Sequence, residues 1–569
     1  MDFKAYELIL DGDNLWGIMC VNTRTNKLEP IRINCIDVLI KNKQINVYKY
    51  ENIYLLEDLQ SIYILPCIQL SSLESERNKQ EVNGKIYSGV ELEEYISSLK
   101  YDKRLSYFKC LIEYLNKDNI TQGKPLFIRG MKRTGKTILI EQGIKWLIDS
   151  GIDSSDILLI QYNTFSEYVD TEIEYLLNFI ESSKAKYIFV DEVTQIKGLV
   201  EKGKYITDCL ARVKEKLVLT GSDSITFVFA EYENLLNRIY KIDTSVVKYS
   251  DWCNILHNIN RNSELTVEDK KQLVIEYIQD NSLCGGIYSS NESMYNYLAD
   301  TIGFNCLNRI NKNKLENLFG SSVEIISYQF FKICFDLIYY PDMKNLNSKL
   351  KISKVFTNIA KELHLDMSKI DIRNKVESLV FSELGFSQNS NTVSRKARIE
   401  LEDILLEMNI LVSSEKIGSE FTRPCNVYYL TLPSIYYRLL MSIGRAMQKV
   451  SGVDGKLSDL AINDILGLCF EALIFTQTYT FKTDDLVKFR KNDYEVDMLV
   501  DLYNGEFKAY EVKMKDKIKS DMFRGFISEE FKELAERNDL NEKGFIYMGE
   551  TVKENGYEFI NAHDYLMSL

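Results

Sequence analysis

Gly130-Met131-Lys132-Arg133-Thr134-Gly135-Lys136-Thr137 has the spacing Gly-x-x-x-x-Gly-Lys-Thr, that of a phosphate-binding loop. Each position has a mechanical task. Gly130 and Gly135 let the backbone curl so that its N–H groups face a β-phosphate. Lys136 reaches the β- and γ-oxygens as a point charge, and the Thr137 hydroxyl is a ligand for Mg²⁺. The apolar periodicity from Thr137 to Trp146 predicts a helix whose positive end faces the phosphates. Pro125-Leu-Phe-Ile-Arg129 reads as a strand entering the loop. All eight loop residues are therefore expected to bind ATP.

Further apolar strand candidates follow, separated by helical stretches: Ile157 to Tyr162, Tyr187 to Val190 and Lys216 to Thr220. Strands apolar on both faces that alternate with helices predict an α/β fold with a parallel sheet covered on each side. Lys186-Tyr-Ile-Phe-Val-Asp191-Glu192 ends in two acids, the Walker B arrangement. Asp191 is expected to hold Mg²⁺ through water, and Glu192 to polarise the attacking water. Leu217-Val-Leu-Thr220-Gly-Ser222 ends in hydroxyls, of which either Thr220 or Ser222 is placed to sense the γ-phosphate. ATP and Mg²⁺ are the expected cofactors, and an ATPase is the expected enzyme.

A chain of 569 residues exceeds a single core, so three or four domains are expected. Residues 1–95 alternate apolar and polar residues in short runs, which predicts a small β-rich module. Residues 96–250 form the ATPase domain. Residues 251–385 read as helices, broken at Gly285-Gly286. Residues 386–450 carry a helix pair and the strand Val427–Thr431, a winged-helix pattern, and 451–569 return to α/β. The net charge of −13 argues against a general nucleic-acid coat, though not against a basic surface on one domain. Eleven Cys without a Cys-x-x-Cys disfavour a disulfide framework or a zinc ribbon. Only three His leave little material for His-based metal sites. No apolar run is long enough to span a bilayer and no signal-peptide pattern opens the sequence, so a cytoplasmic protein is expected.

A second constellation lies toward the C-terminus: Glu471, Phe489-Arg490, Glu495-Val-Asp497 and Glu511-Val-Lys513. Asn504-Gly505 marks a hairpin tip between the strands that carry Asp497 and Glu511. A two-residue loop would set Asp497 opposite Val512. A three-residue loop, Tyr503-Asn504-Gly505, sets Asp497 opposite Glu511 and Glu495 opposite Lys513. Only the second register brings the carboxylates together. The basic stretch Lys508 to Lys519, with Arg490-Lys491, offers local attraction to phosphates. The plainer alternative is a solvated strand in which Glu495 and Lys513 form a cross-strand pair.

The order Asp…Glu-x-Lys resembles the metal-dependent nuclease core called PD-(D/E)XK. The P-loop, Phe189-Val-Asp-Glu-Val-x-Gln-Ile196, Leu219-Thr-Gly-Ser222 and Asn237-Arg238 resemble a prokaryotic family of AAA-type ATPases. Gly285-Gly286 and Glu407-Met-Asn-Ile-Leu-Val412 match smaller signatures of that family. In it the ATPase is followed by a winged helix and a C-terminal domain similar to restriction endonucleases. The resemblance covers roughly residues 100 to 569. It implies that Arg238 acts as an arginine finger or sensor, which between subunits would require a homo-oligomer. It also implies catalytic roles for Glu471, Asp497, Glu511 and Lys513, with Glu471, Asp497 and Glu511 on Mg²⁺. DNA is then the expected partner. A protein partner, governed by nucleotide state while the C-terminal fold serves as an inactive scaffold, is the competing expectation.

Overall fold

The computed structural model describes the strands within residues 3–69 by their backbone. It describes residues 85–100, 105–116, 124–130, 134–162, 173–196, 206, 214–221, 239–280, 323–339, 352–383, 399, 401–403, 405–406, 408–417, 425–453, 455–482, 486–491, 494–501 and 507–569 more fully. The N-terminal strands are β1 (Phe3–Asp11), β2 (Asn14–Asn22), β3 (Lys27–Arg32), β4 (Asn46–Tyr50), β5 (Ile53–Glu57), β6 (Ile62–Leu65) and β7 (Cys67–Gln69). They form two sheets, ordered β3-β2-β1-β7 and β4-β5-β6.

The second unit is built on β8 (Lys85–Tyr87), β9 (Leu126–Arg129), β10 (Ile157–Gln161), β11 (Tyr187–Asp191), β12 (Lys216–Gly221) and β13 (Tyr240–Asp243). Their order is β13-β9-β12-β11-β10-β8, parallel except for β8. Alternation of side chains along each strand supplies two apolar faces. Leu126, Ile128, Ile157, Leu159, Phe189 and Val218 pack under α1 (Gly89–Ser98), α2 (Tyr107–Asn116) and α3 (Lys136–Asp149). Phe127, Leu158, Ile160, Ile188, Val190, Leu217 and Leu219 face α4 (Ile173–Ser182). Because β8 pairs with β10 and α1 packs on the same face as α2, the ATPase unit reaches back beyond residue 96. The boundary expected at 95 falls inside α1.

Beyond the sheet come α5 (Tyr249–His257), α6 (Val267–Gln279), α7 (Val323–Tyr339), α8 (Lys354–Glu362) and α9 (Ile370–Glu383). Then follow β14 (Leu411–Ile417), β15 (Cys425–Leu430), α10 (Pro433–Ser451) and α11 (Asp459–Phe481). The chain closes with β16 (Leu486–Lys491), β17 (Tyr494–Val500), β18 (Phe507–Lys513), α12 (Arg524–Ile527), α13 (Glu529–Arg537), β19 (Leu540–Tyr547), β20 (Val552–Glu554), β21 (Tyr557–Asn561) and α14 (Ala562–Ser568). The strand expected over Val427–Thr431 lies largely within β15, which forms a hairpin with β14, and that hairpin is not a separate layer. β14 pairs in parallel with β16, so the hairpin is the edge of one eight-stranded sheet, β15-β14-β16-β17-β18-β19-β21-β20. One buried cluster runs from Tyr249 through Leu405 and Leu440 to Met567. The expected divisions at 385 and 450 therefore cut through a shared core. Gly285-Gly286 and most of 386–400 lie outside the described residues.

That core contains His563, whose Nδ1 lies 2.8 Å from the Tyr249 hydroxyl. Burial pushes its pKa down to about 4, against Asp564 and with Lys270, which itself pairs with Asp564 at 2.7 Å. The folded state thus binds fewer protons than the unfolded chain between pH 6.5 and about 4, so stability falls as pH drops through that window. Acid unfolding curves of His563→Gln are expected to be shallower than wild type by about 2 kcal/mol over this range. Equal slopes would show that His563 is not the proton acceptor.

Candidate functional site

Gly130 ends β9 and Gly135 opens α3. Gly135 takes a left-handed φ of 89° and Gly130 a φ of 153°. A Cβ on Gly130 would lie 2.3 Å from Thr244 Oγ1. Thr244 is close because β13 runs beside β9, and its hydroxyl lies 2.8 Å from that of Thr134 in the loop. Gly130→Ala is expected to force this contact apart at a cost of about 1–3 kcal/mol and to weaken ATP binding. Denaturant melts and binding of a fluorescent ATP analogue measure the two losses.

Lys136 is buried, and its ammonium donates to Gly130 O at 3.0 Å and lies 3.9 Å from Glu192 Oε1. Thr137 Oγ1 donates to Asp191 Oδ2 at 2.7 Å. The insertion of β12 between β9 and β11 explains the rest of the site. It sets Thr220 beside the acids, where its hydroxyl donates to Asp191 Oδ1 and accepts the Glu192 N–H at 3.1 Å. Of the two hydroxyls considered, Thr220 orients both acids, while Ser222 lies outside the described residues. Glu192 itself adopts a left-handed backbone (φ 57°, ψ 38°). That conformation is costly for a non-glycine residue and is held here by its surroundings. Burial, and then the Glu192 charge, push the Asp191 carboxyl above its usual pKa, against the Thr220 and Thr137 hydrogen bonds and Lys136. The convergence of the Thr137 hydroxyl on the Asp191 carboxylate gives an all-oxygen donor set suited to Mg²⁺. These two residues would hold the ion, which neutralises phosphate charge when bound. Met131, Lys132, Arg133 and Arg238 lie outside the described residues.

The network behind these residues was not legible in the sequence. The Tyr95 hydroxyl donates to Glu141 Oε1 and accepts from Gln161 Nε2 at 3.2 Å. Tyr95 also stacks on Tyr87, with centroids 4.5 Å apart. Glu141 is one turn beyond Thr137 on α3 and Gln161 sits opposite Asp191 in register, so this network braces the ends of α3 and β10.

The C-terminal acids also converge. Met498↔Tyr510, Leu499↔Ala509 and Val500↔Lys508 continue to Asp497 opposite Glu511, the register of a three-residue loop. The tip, Tyr503-Asn504-Gly505, lies outside the described residues. Lys513 Nζ bridges Asp497 Oδ2 at 2.7 Å and Glu511 Oε2 at 2.5 Å, and the Val512 N–H donates to Asp497 Oδ2 at 2.9 Å. Glu471, on α11, lies on the other side. Its Oε1 accepts from the Tyr429 hydroxyl at 2.9 Å.

The residue at the centre is one the sequence reading passed over. Lys488 is 5% exposed, and its ammonium lies 2.6 Å from Glu471, 2.6 Å from Glu495 and 3.3 Å from Asp497. A β-bulge places it there. Val487 pairs with Leu499 and Phe489 with Val496, so Lys488 faces both Asp497 and Met498. Glu495 pairs with Lys488, which the bulge brings beside it, where the plainer alternative paired it with Lys513. Phe489 is core, while Arg490 is exposed and sits opposite Glu495 at the rim of the cluster. The available signal was a lysine inside the apolar run Leu486-Val-Lys-Phe489.

Burial raises the pKa of Asp497, but Lys513 and Lys488 outweigh it and hold the carboxyl well below its usual range. Burial, and then the Asp497 charge, drive Glu511 the opposite way. Burial disfavours the Lys488 ammonium, yet Glu471, Tyr429, Glu495 and Asp497 together raise its pKa well above the usual value. Four carboxylates thus share two ammonium groups. Among the described residues no group of three or more acidic, His or Cys side chains is arranged to hold a metal ion. Lys488 lies against Glu471 Oε1 and Asp497 Oδ1, and Lys513 against Asp497 Oδ2 and Glu511 Oε2, so ammonium groups stand where the expected Mg²⁺ would meet these acids.

Residues 122–253 match the family described as AAA domain. No curated protein matches the chain. Among solved structures, the chain is similar to the S. cerevisiae Hsp104:casein complex in its extended conformation, at 15% identity and a TM-score of 0.24, over 48% of this chain and 52% of that one. It is also similar to the S. cerevisiae Hsp104-ADP complex, at 14% identity and a TM-score of 0.23, over 57% of this chain and 41% of the other. The chain thus spans about half the length of these proteins or less. The matched residues enclose β9 to β13 with the loop and both acids, so the chain carries an AAA-type P-loop domain, which implies a nucleotide-binding ATPase.

Proposed function

We propose that this chain hydrolyses ATP and uses its nucleotide state to control a DNA-engaging C-terminal unit of PD-(D/E)XK type. The observation that carries the coupling is the segment Asp243–Tyr249. At its start, Asp243 accepts from Arg129 Nε at 2.9 Å, one residue before the P-loop, and from Asn409 Nδ2 at 2.6 Å, just ahead of β14. At its end, the Tyr249 N–H donates to Gln477 Oε1 at 3.0 Å and Gln477 Nε2 donates to Val247 O at 2.9 Å. Gln477 lies on α11, the helix that carries Glu471. A shift of the P-loop against β13 therefore has a hydrogen-bonded route to both sides of the C-terminal cluster. The shared register of Asp497 and Glu511 and the exposed Lys515, Lys517 and Lys519 after β18 support the DNA side of the proposal.

The test is duplex-DNA affinity in the presence of ADP and of a non-hydrolysable ATP analogue. A difference between the two states is expected, and Asn409→Ala should remove it while ATP turnover persists. No DNA binding and no effect of DNA on turnover would end this proposal. A second reading, a nucleotide-governed scaffold for a protein partner, is favoured by the ammonium groups lodged among the C-terminal carboxylates. It requires turnover indifferent to DNA and to Ala at Asp497 or Glu511. If Arg238 completes the site of a neighbouring copy in a homo-oligomer, specific ATPase activity falls on dilution.

A further inference from the structure

We infer that Lys488 is a built-in cation that stands in for a divalent metal at the C-terminal carboxylate cluster. Its ammonium is within 3.3 Å of three carboxylates that come from two different elements: Glu471 on α11 and, across the bulge of β17, Glu495 and Asp497. Convergence of acids from separate elements on one buried point is the arrangement that a hard divalent cation demands. Here that point is filled covalently, from the strand that runs between them. Asp497 is buried and Glu471 and Glu495 are partly buried, so without a cation the cluster would hold uncompensated charge, and a lysine satisfies it with no metal. Lys513 completes the neutralisation on the far side by bridging Asp497 and Glu511.

Two features close the cluster further. The Tyr429 hydroxyl takes a lone pair of Glu471. The backbone of α12 lies so near that a Cβ on Gly525 would be 2.1 Å from Glu495 O and 2.7 Å from Glu511 Oε1. A metal entering would have to expel an ammonium whose protonated form these carboxylates hold. The unit therefore keeps the nuclease-like framework in a metal-independent form. This inference deepens the DNA-engaging proposal, and it distinguishes binding without scission from metal-dependent cleavage.

The experiment is Mn²⁺ titration of the full-length, nucleotide-free protein, followed by electron paramagnetic resonance of free Mn²⁺. DNA is absent, so a failure of the DNA proposal leaves the result readable. Wild type is compared with Asp497→Asn and with Asp191→Asn, which separates this cluster from the ATP site. Wild type and Asp497→Asn are expected to titrate alike. Lys488→Met is expected to gain Mn²⁺ affinity by at least about tenfold, since loss of one ammonium among three carboxylates is worth that much even at the dielectric of water. Adding Glu471→Gln should take the gain away. Wild-type Mn²⁺ binding that Asp497→Asn removes and Asp191→Asn leaves intact would overturn the inference. A folded Lys488→Met that gains no Mn²⁺ would overturn it as well. Lys488→Gln provides a polar neutral variant if the Met variant does not fold, and the wild-type comparison needs neither.

Discussion

Glu192→Gln is expected to bind ATP as wild type does and to turn it over about 10²–10⁴-fold more slowly, the usual contribution of a positioned general base. The substitution keeps shape and size but removes the charge proposed to polarise water. What makes Glu192 suited to the task is the backbone that presents it. β11 delivers Asp191 and Glu192 from a buried strand, and the left-handed turn at Glu192 swings its side chain to within 3.9 Å of Lys136. Thr220 holds the Glu192 N–H from the neighbouring strand, so the turn is imposed by β12 as well as by β11. Asp191→Asn should behave differently, losing the Mg²⁺ dependence of binding because Asp191 faces the Thr137 hydroxyl. Single-turnover hydrolysis beside nucleotide binding separates the two. Unchanged turnover in Glu192→Gln would remove it from the reaction.

The largest stability effect is expected at Lys488. Lys488→Met keeps much of the side-chain volume but leaves Glu471, Glu495 and Asp497 without their shared cation, at a cost of about 3–5 kcal/mol. Much of that cost is the charge left behind rather than the loss of an attractive pair. Restoring neutrality should therefore restore stability, and Lys488→Met combined with Asp497→Asn should lose less than the sum of the single variants. Lys513 would pull the other way, because Asp497→Asn weakens its own pairing. Urea unfolding of the four proteins at neutral pH gives the coupling. Strict additivity would mean that Lys488 and Asp497 do not act as a unit.

The two sites were legible to different degrees, and for physical reasons. The P-loop is local: its pattern is carried by eight consecutive residues, so spacing alone reveals it. The Walker B acids were nearly as plain, since an apolar strand ending in two acids is also a local pattern. What spacing does not hold is which strand lies between them. That β12 separates β9 from β11, and so makes Thr220 the partner of both acids, follows from sheet order. Thr244 carries no motif, and it meets the loop only because β13 lies on the far side of β9.

The C-terminal cluster shows the contrast more sharply. Period-two alternation and loop length narrowed the pairing of Asp497 and Glu511 to two registers, and the strand pairing chose between them. Lys488 was not decidable in that way. Its place depends on one irregular step between β16 and β17, and on α11 packing against the sheet to bring Glu471 across. The domain limits likewise depended on pairing between distant segments, β8 with β10 and β14 with β16.

By itself, then, the sequence pointed to a nucleotide-binding ATPase, because Gly130 to Thr137 and Asp191-Glu192 are patterns carried by consecutive residues. The tertiary structure alone decided what the C-terminal carboxylates face. Whether an acid meets a metal, a solvent molecule or a lysine ammonium is settled by how the neighbouring strand is registered and which helix packs across it, and the bulge sets Lys488 of β16 within 2.6 Å of Glu471 and Glu495.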